Sequence, residues 1–186
     1  MTPPAFFGVR SEYMKVFLLY LIVGLCIVVV QTTILNLPLF HGIFFDLLIS
    51  LVVFLSLKFP DRRGIFVVVI VGLTMDLLSG GIFGLYLTVY FWIFVSTTSL
   101  TKYLDVDKAI FQSVWIGVCV FGQNLVFCAS LSPSLKWSQL LAVQSPPVLL
   151  QTIFAALIGP RILMLLGRLQ KRLSVAQRDT EDFAIR

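Results

Sequence analysis

Residues 72–84 read GLTMDLLSGGIFG, and the rest of the chain is organised around this stretch. It places Asp76 in an apolar run, four residues before the glycine pair Gly80 and Gly81, which predicts a tight turn. A carboxylate in hydrocarbon costs about 2.5–3.5 kcal/mol on insertion scales, so Asp76 needs a structural or functional reason. Gly72, Asp76 and Gly80 share one face of a helix, where glycine would let a neighbouring helix approach closely.

The composition is that of an integral membrane protein. Of 186 residues, 59% are hydrophobic and 12% are charged, against about 25% charged in a soluble domain. The net charge of +5 does not indicate nucleic-acid binding, because the basic residues lie in short loops between apolar runs. The lipid bilayer is therefore the expected surrounding of the chain.

The apolar runs predict an all-α bundle of six transmembrane helices in one domain, residues 1–186. The first run is longer than the apolar core of a signal peptide and lacks a small-x-small cleavage site after it, so we expect an uncleaved span. Residues 167–186 are polar and predict a cytoplasmic tail. The expected spans are about 15–35, 40–57, 64–79, 82–101, 109–131 and 146–166.

The basic residues orient this bundle. Twelve of the 14 Lys and Arg residues fall in the N-terminal segment, the second and fourth loops and the tail, all on one side. The other side carries only Lys136, and Arg161 lies inside the last span near its basic end. The positive-inside rule therefore predicts cytoplasmic termini and an external loop at residues 132–145.

This orientation brings the polar residues of the spans into one layer, about 5–10 Å below the outer surface. The layer is either a polar cavity or docking surface that faces outward, or a set of interhelical hydrogen bonds. For the two aspartates we expect a functional or assembly role, with Asp46 as the partner of Asp76, directly or through Asn124 or a water. The residues of the layer are Gln31, Asp46, Asp76, Tyr86, Tyr90, Asn124 and Gln151.

The sequence offers little for catalysis or for a cofactor. Asp46 and Asp76 could act as acid and base, but no histidine, serine or cysteine is placed beside them as a nucleophile. His41 is the single histidine, no CxxC is present, and no GxxxxGK[ST] loop is found. We therefore expect a non-catalytic protein without a metal or cofactor.

These residues resemble a known family, the bacterial rod shape-determining protein MreD. The likeness is carried by Gly72-x3-Asp76-LLSG-x3-Gly84 and by residues 45–48, FDLL, although the family often has proline where Phe45 stands. Pro160 in the last span and the short six-span layout extend it over most of residues 15–168. The structural or partner-binding candidates are Asp76, Asp46, Gly72, Gly80, Gly84, Asn124, Gln151 and Pro160.

The resemblance implies a multi-pass inner-membrane component of the cell-elongation machinery with no catalytic activity. Its partners would be MreC, whose single membrane helix we expect to pack on the bundle, and MreB, RodA and a class B penicillin-binding protein. The family's fold is similar to the substrate-binding subunits of energy-coupling-factor vitamin transporters, which gives the alternative function. Against that alternative, the first span lacks an Ala-x3-Ala motif and the outer loops are short.

Overall fold

A computed structural model of the protein describes residues 6–34, 46–102, 109–131 and 148–169. These residues contain six helices and no strand, which confirms the all-α prediction for the described part of the chain. The predicted outer loop at 132–145, residues 40–45 and most of the tail lie outside the described residues. The helices are α1 Phe6–Ile34, α2 Leu47–Lys58, α3 Arg62–Ser79, α4 Leu85–Leu100, α5 Ala109–Leu131 and α6 Val148–Leu169.

Helix α2 forms the centre of the bundle. Its sequence, LLISLVVFLSLK, is apolar on every side, and every residue from Leu48 to Ser56 is buried. A helix that is hydrophobic all round has to be covered all round, and α2 contacts α1, α3, α4 and α5. Asp46 precedes this helix as its N-cap, so a carboxylate stands at one end of the core helix.

Helices α3 and α4 form a tight hairpin. Helix α3 ends at Gly80, and α4 starts after Gly84; both glycines have left-handed backbones, with φ of 65° and 89°. Gly72 lets the two helices touch, because a Cβ atom there would lie 3.0 Å from Cα of Leu87. At Gly80 no described atom lies within 4 Å of such a Cβ. Gly72 therefore makes the close approach expected of both glycines, and Gly80 makes the turn.

Helices α5 and α6 pack through small residues. A Cβ atom at Gly159 would lie 2.7 Å from the side chain of Ile116, and Ala155, one turn earlier, is fully buried. Ala155 and Gly159 thus lie at a helix contact, where small side chains let two helices approach closely. Helix α6 continues through the buried Pro160 to Leu169.

Two helices are long and apolar enough to cross a membrane, Ile110–Ser130 within α5 and Val148–Leu169, which is α6. Only 28% and 22% of their most apolar windows are buried, so large apolar side chains line the outside of both helices. Three further apolar helical segments are shorter, namely Phe17–Thr33, Leu47–Lys58 and Leu85–Leu100.

Candidate functional site

Asp46 joins four helices through its carboxylate. Its Oδ1 atom accepts hydrogen bonds from Gln31 Nε2 on α1 at 2.8 Å and from the backbone N–H of Leu48 on α2 at 2.9 Å. Its Oδ2 atom accepts from Gln123 Nε2 on α5 at 3.0 Å and from the hydroxyl of Tyr90 on α4. The carboxylate therefore ties α1, α4 and α5 to the first turn of the central helix.

The four donors to Asp46 match an ionised carboxylate. Such a group only accepts hydrogen bonds, at about four lone-pair positions on two oxygens, and each oxygen here receives two donors. Three of the donors are N–H groups, which can only donate. None of the four is charged, so the negative charge is dispersed by hydrogen bonds and has no cationic partner among them.

Asp76 caps a helix other than its own. Its Oδ1 atom accepts from the backbone N–H of Tyr86 at 2.9 Å, and its Oδ2 atom accepts from the backbone N–H of Leu87 at 3.1 Å. Both amides lie in the first turn of α4, where backbone N–H groups lack partners within the helix. The N-cap residue of α4 is Gly84, which has no side chain to satisfy them. Asp76 supplies the missing acceptors from α3.

The position of Asp76 also explains why a carboxylate is stable there. The residue lies in the last turn of α3, where the helix dipole disfavours a negative charge. The chain reversal directs the side chain at the N-terminus of α4, where the dipole favours the charge. The side chain is 3% exposed, so it faces protein. Asp76 therefore holds the α3–α4 hairpin together by hydrogen bonds near the turn. Gly72, one helical turn earlier on α3, allows the close contact between the two helices.

Five of the seven polar residues expected in one layer line a common cavity of about 230 Å³, whereas Asp76 and Tyr90 are not part of its lining. Tyr86 connects this cavity to the hairpin, because its backbone N–H binds Asp76 while its side chain lines the cavity. The ring of Tyr86 packs edge-on against Phe127 of α5, with ring centres 4.9 Å apart. The described lining consists of Gln31, Asp46, Tyr86, Val120, Gln123, Asn124, Phe127 and Gln151.

Two amide oxygens at this cavity have no hydrogen-bond partner among the described residues. They are Oε1 of Gln31 and Oε1 of Gln123, and both atoms are buried. The side chain of Gln123 is 6% exposed. A buried acceptor without a partner lowers the stability of the fold by about 1–3 kcal/mol, so a donor bound to these two oxygens would be stabilising. Because the NH₂ end of each amide is bonded to Asp46, the oxygen is directed away from that carboxylate.

Asp46 and Asp76 bind different protein groups. Asp46 and Asp76 have separate sets of donors, and no hydrogen bond joins them in the described part of the chain. Asn124 does not bridge them either, because its Nδ2 atom donates to the backbone oxygen of Val120 on its own helix, at 2.9 Å. Gln123, the preceding residue, makes the contact with Asp46 instead.

The remaining predicted residues divide into two groups. Gln151 reaches the cavity from α6, and Gln31 and Tyr90 reach Asp46 from α1 and α4. Gly84 and Pro160 do not line the cavity: Gly84 is the N-cap residue of α4, and Pro160 is buried within α6. The site is therefore built from predicted polar residues, and the predicted glycine and proline positions lie outside it.

A second, apolar groove of about 290 Å³ runs between α4 and α5. Thr88, Trp92 and Ser96 line it at intervals of four residues on α4, and Trp115 and Gly122 line it on α5. Deeper in the same contact, Trp115 Nε1 donates to the hydroxyl of Thr97 at 2.9 Å. Gln123 belongs to the lining of both the groove and the cavity.

Among the described residues, the interactions seen at the cavity are hydrogen bonds. The carboxylate oxygens of Asp46 and Asp76 are all engaged by donors. Within the described ranges, no group of three or more His, Cys, Asp or Glu side chains is placed to hold a metal ion.

No family model matches the chain, and no curated protein or solved structure matches it either.

Proposed function

We propose that the chain is a non-catalytic, multi-pass component of the bacterial inner membrane that belongs to the MreD family. In this role it binds a single-span MreC-like protein and supports lateral peptidoglycan synthesis with MreB, RodA and a class B penicillin-binding protein. The observation that carries the proposal is the use of the two motif aspartates. Asp46 holds four helices together and Asp76 caps α4, so both act as scaffold residues.

The outer surface of the bundle supports a membrane location. Large apolar side chains are more than half exposed on several helices, for example Leu18 on α1, Phe66 on α3, Trp92 on α4 and Leu157 on α6. Soluble monomers rarely expose apolar patches larger than a few hundred Å². A bilayer would cover these faces. The apolar runs support six spans, and the distribution of Lys and Arg supports cytoplasmic termini.

The state of the carboxylates supports a role other than catalysis. A general base must offer a lone pair to the proton that it removes. Each oxygen of Asp76 already accepts a backbone N–H, and each oxygen of Asp46 accepts two donors. These contacts hold helices in place, which is what a membrane scaffold requires.

A partner with one membrane helix can be detected by site-specific crosslinking in native membranes. A photoreactive residue would replace Leu18, Phe66, Trp92 or Leu157 in separate variants, since these exposed positions look outward from four helices. We expect one or two neighbouring positions to capture the MreC-like protein and the others to capture lipid only. Failure of all four positions to capture a single-span protein, at normal abundance of the variants, would contradict this part of the proposal.

The cavity favours a second candidate, a substrate-binding subunit of an energy-coupling-factor vitamin transporter. A polar cavity within a six-helix bundle is what such a subunit needs. Its volume of about 230 Å³, as the described residues define it, is below the roughly 300–1,000 Å³ of pockets for drug-sized ligands. Affinity purification from native membranes separates the two functions: a single-span protein with elongation enzymes supports the first, and ATPase subunits support the second.

A further inference from the structure

We propose that the cavity around Asp46 binds a primary ammonium group. The inference rests on the geometry of the cavity and is independent of a role in cell shape. The cavity collects a carboxylate and two buried amide oxygens that lack partners among the described residues, Oε1 of Gln31 and Oε1 of Gln123. The carboxylate oxygens already accept four donors and contribute negative charge, whereas the two amide oxygens are open acceptors, so the group that completes the site is a donor.

Because the site contains a carboxylate, it favours a positively charged donor over a neutral one. The donors to Asp46 are two side-chain amides, one backbone N–H and one phenol hydroxyl, and none of them is positive. No lysine, arginine or histidine is among the described residues that line the cavity. A buried carboxylate is costly unless it is paired with opposite charge, so a positive occupant lowers the cost of the whole cluster.

The number and arrangement of acceptors favour ammonium over a larger cation. A primary ammonium carries three N–H donors. Gln31 and Gln123, which bind different oxygens of the carboxylate, supply two acceptors. Asn124, whose NH₂ group is bonded to Val120, is a third amide in the lining. The volume of about 230 Å³ corresponds to roughly eight water molecules at about 30 Å³ each, which suits an alkylammonium of a few heavy atoms.

The ammonium group has two possible sources, a soluble amine and the ethanolamine headgroup of a phospholipid. The shared chemistry is the N–H-bearing cation, and lipid composition distinguishes the sources. In nanodiscs of phosphatidylcholine alone, the headgroup is a quaternary ammonium that carries no N–H donor. In nanodiscs that also contain phosphatidylethanolamine, the headgroup supplies the donor.

The test is the midpoint of thermal unfolding of the full chain in phosphatidylcholine nanodiscs, with ethylammonium chloride as the probe. At ten times its Kd, ethylammonium should raise Tm by roughly 3–6 °C through binding to the folded state. Tetramethylammonium chloride and sodium chloride at the same concentration should leave Tm unchanged. The tetramethylammonium ion has no N–H group, and the sodium ion has no hydrogen-bond donor. An equal rise with either salt, or no rise with ethylammonium, would overturn the proposal.

Variants locate the binding. Val120→Phe fills the cavity while it leaves the donors to Asp46 in place, and Gln123→Leu removes one of the acceptors. Both should abolish the effect of ethylammonium, whereas Gln112→Leu, a matched change on α5 outside the cavity lining, should retain it. A full response in a folded Val120→Phe protein would contradict binding here. Where a variant does not fold, the comparison of the three salts on the unaltered chain still decides.

The lipid arm then identifies the source. A higher starting Tm in nanodiscs with phosphatidylethanolamine, lost in Val120→Phe and no longer raised by ethylammonium, assigns the site to the headgroup. The same starting Tm in both lipids, with the same response to ethylammonium, assigns it to a soluble amine. An unchanged starting Tm together with no response to ethylammonium in either lipid would overturn the proposal.

Discussion

The hydroxyl of Tyr90 on α4 donates a hydrogen bond to the carboxylate of Asp46, which lies 44 positions earlier in the chain at the start of α2. Tyr90 is fully buried, so this bond is shielded from water along with the ring that carries it. The contact connects the central helix to the helix that Asp76 caps. The two motif aspartates therefore act on the same element, α4, one through a side chain and one through the backbone.

The Tyr90–Asp46 bond gives a stability prediction. Tyr90→Phe keeps the buried ring and removes one donor to a charged acceptor, so we expect a loss of about 1.5–3 kcal/mol in the free energy of unfolding. Tyr86→Phe is the matched control, because the Tyr86 hydroxyl makes no hydrogen bond within the described residues, and should cost less than about 0.5 kcal/mol. Reversible unfolding in mixed micelles measures both changes. Equal losses in the two variants would count against Asp46 as the junction of the bundle.

The cap made by Asp76 predicts an unusual response to asparagine. Both carboxylate oxygens accept a backbone N–H, so Asp76→Asn loses one acceptor and turns an NH₂ group towards a second N–H donor. We expect a loss of about 1–3 kcal/mol, and a larger loss for Asp76→Leu, which leaves both amides without an acceptor.

The control for Asp76 is Thr74→Val on the same helix, because the Thr74 hydroxyl binds only the Ile70 carbonyl of its own helix. Its effect should stay within about 0.5 kcal/mol. The same unfolding assay, with membrane abundance followed by immunoblot, compares the three variants. An Asp76→Asn protein as stable as the unaltered chain would show that the cap is not needed.

The α3–α4 contact predicts different outcomes for two helical glycines. Gly72→Ala would place a Cβ atom 3.0 Å from the backbone of Leu87, so the helices must move apart, at about 1–3 kcal/mol. Gly122→Ala on α5 meets no described atom within 4 Å and should be neutral or stabilise the helix by up to about 1 kcal/mol. Thermal unfolding of the two variants measures the difference. A neutral Gly72→Ala would mean that α3 and α4 are not in close contact.

The orientation is tested by reporter fusions. The distribution of Lys and Arg predicts that Arg186 is cytoplasmic and that residues 132–145 are external. A reporter that works only in the cytoplasm should therefore be active when fused after Arg186, and a reporter that works only outside the membrane should be active when inserted in residues 132–145. Activity of an external reporter after Arg186 would contradict cytoplasmic termini.

Some of this fold could be read from the sequence, because six apolar runs separated by turns leave few alternatives to a helical bundle. The turn at Gly80 and the burial of Asp76 follow from the same stretch, since a glycine pair and a carboxylate in an apolar run have few solutions. The capping of α4 by Asp76 could also have been predicted from the sequence. Gly84 cannot cap α4 with a side chain, and Asp76 is an acceptor nearby in the chain.

The partners of Asp46 could not be read in the same way. Choosing between Gln123 and Asn124 requires the rotation of α5 about its axis, and adjacent residues differ by about 100°. In a helix that is apolar on all sides, no contrast between polar and apolar faces gives that rotation. The structure supplies it, because Ile116, Val120 and Gln123 lie on the buried face of α5. The orphan amide oxygens likewise follow only from three-dimensional placement.

The most direct test of the proposed function is the shape of cells that lose this protein. The cell that encodes the chain is depleted of it and complemented with the unaltered protein, with Thr74→Val or with Asp76→Leu, and cell length and width are measured by microscopy. We predict that depleted cells become round, that the unaltered chain and Thr74→Val restore rods, and that Asp76→Leu does not. Depleted cells that remain rods, or full rescue by Asp76→Leu at normal membrane abundance, would contradict the account.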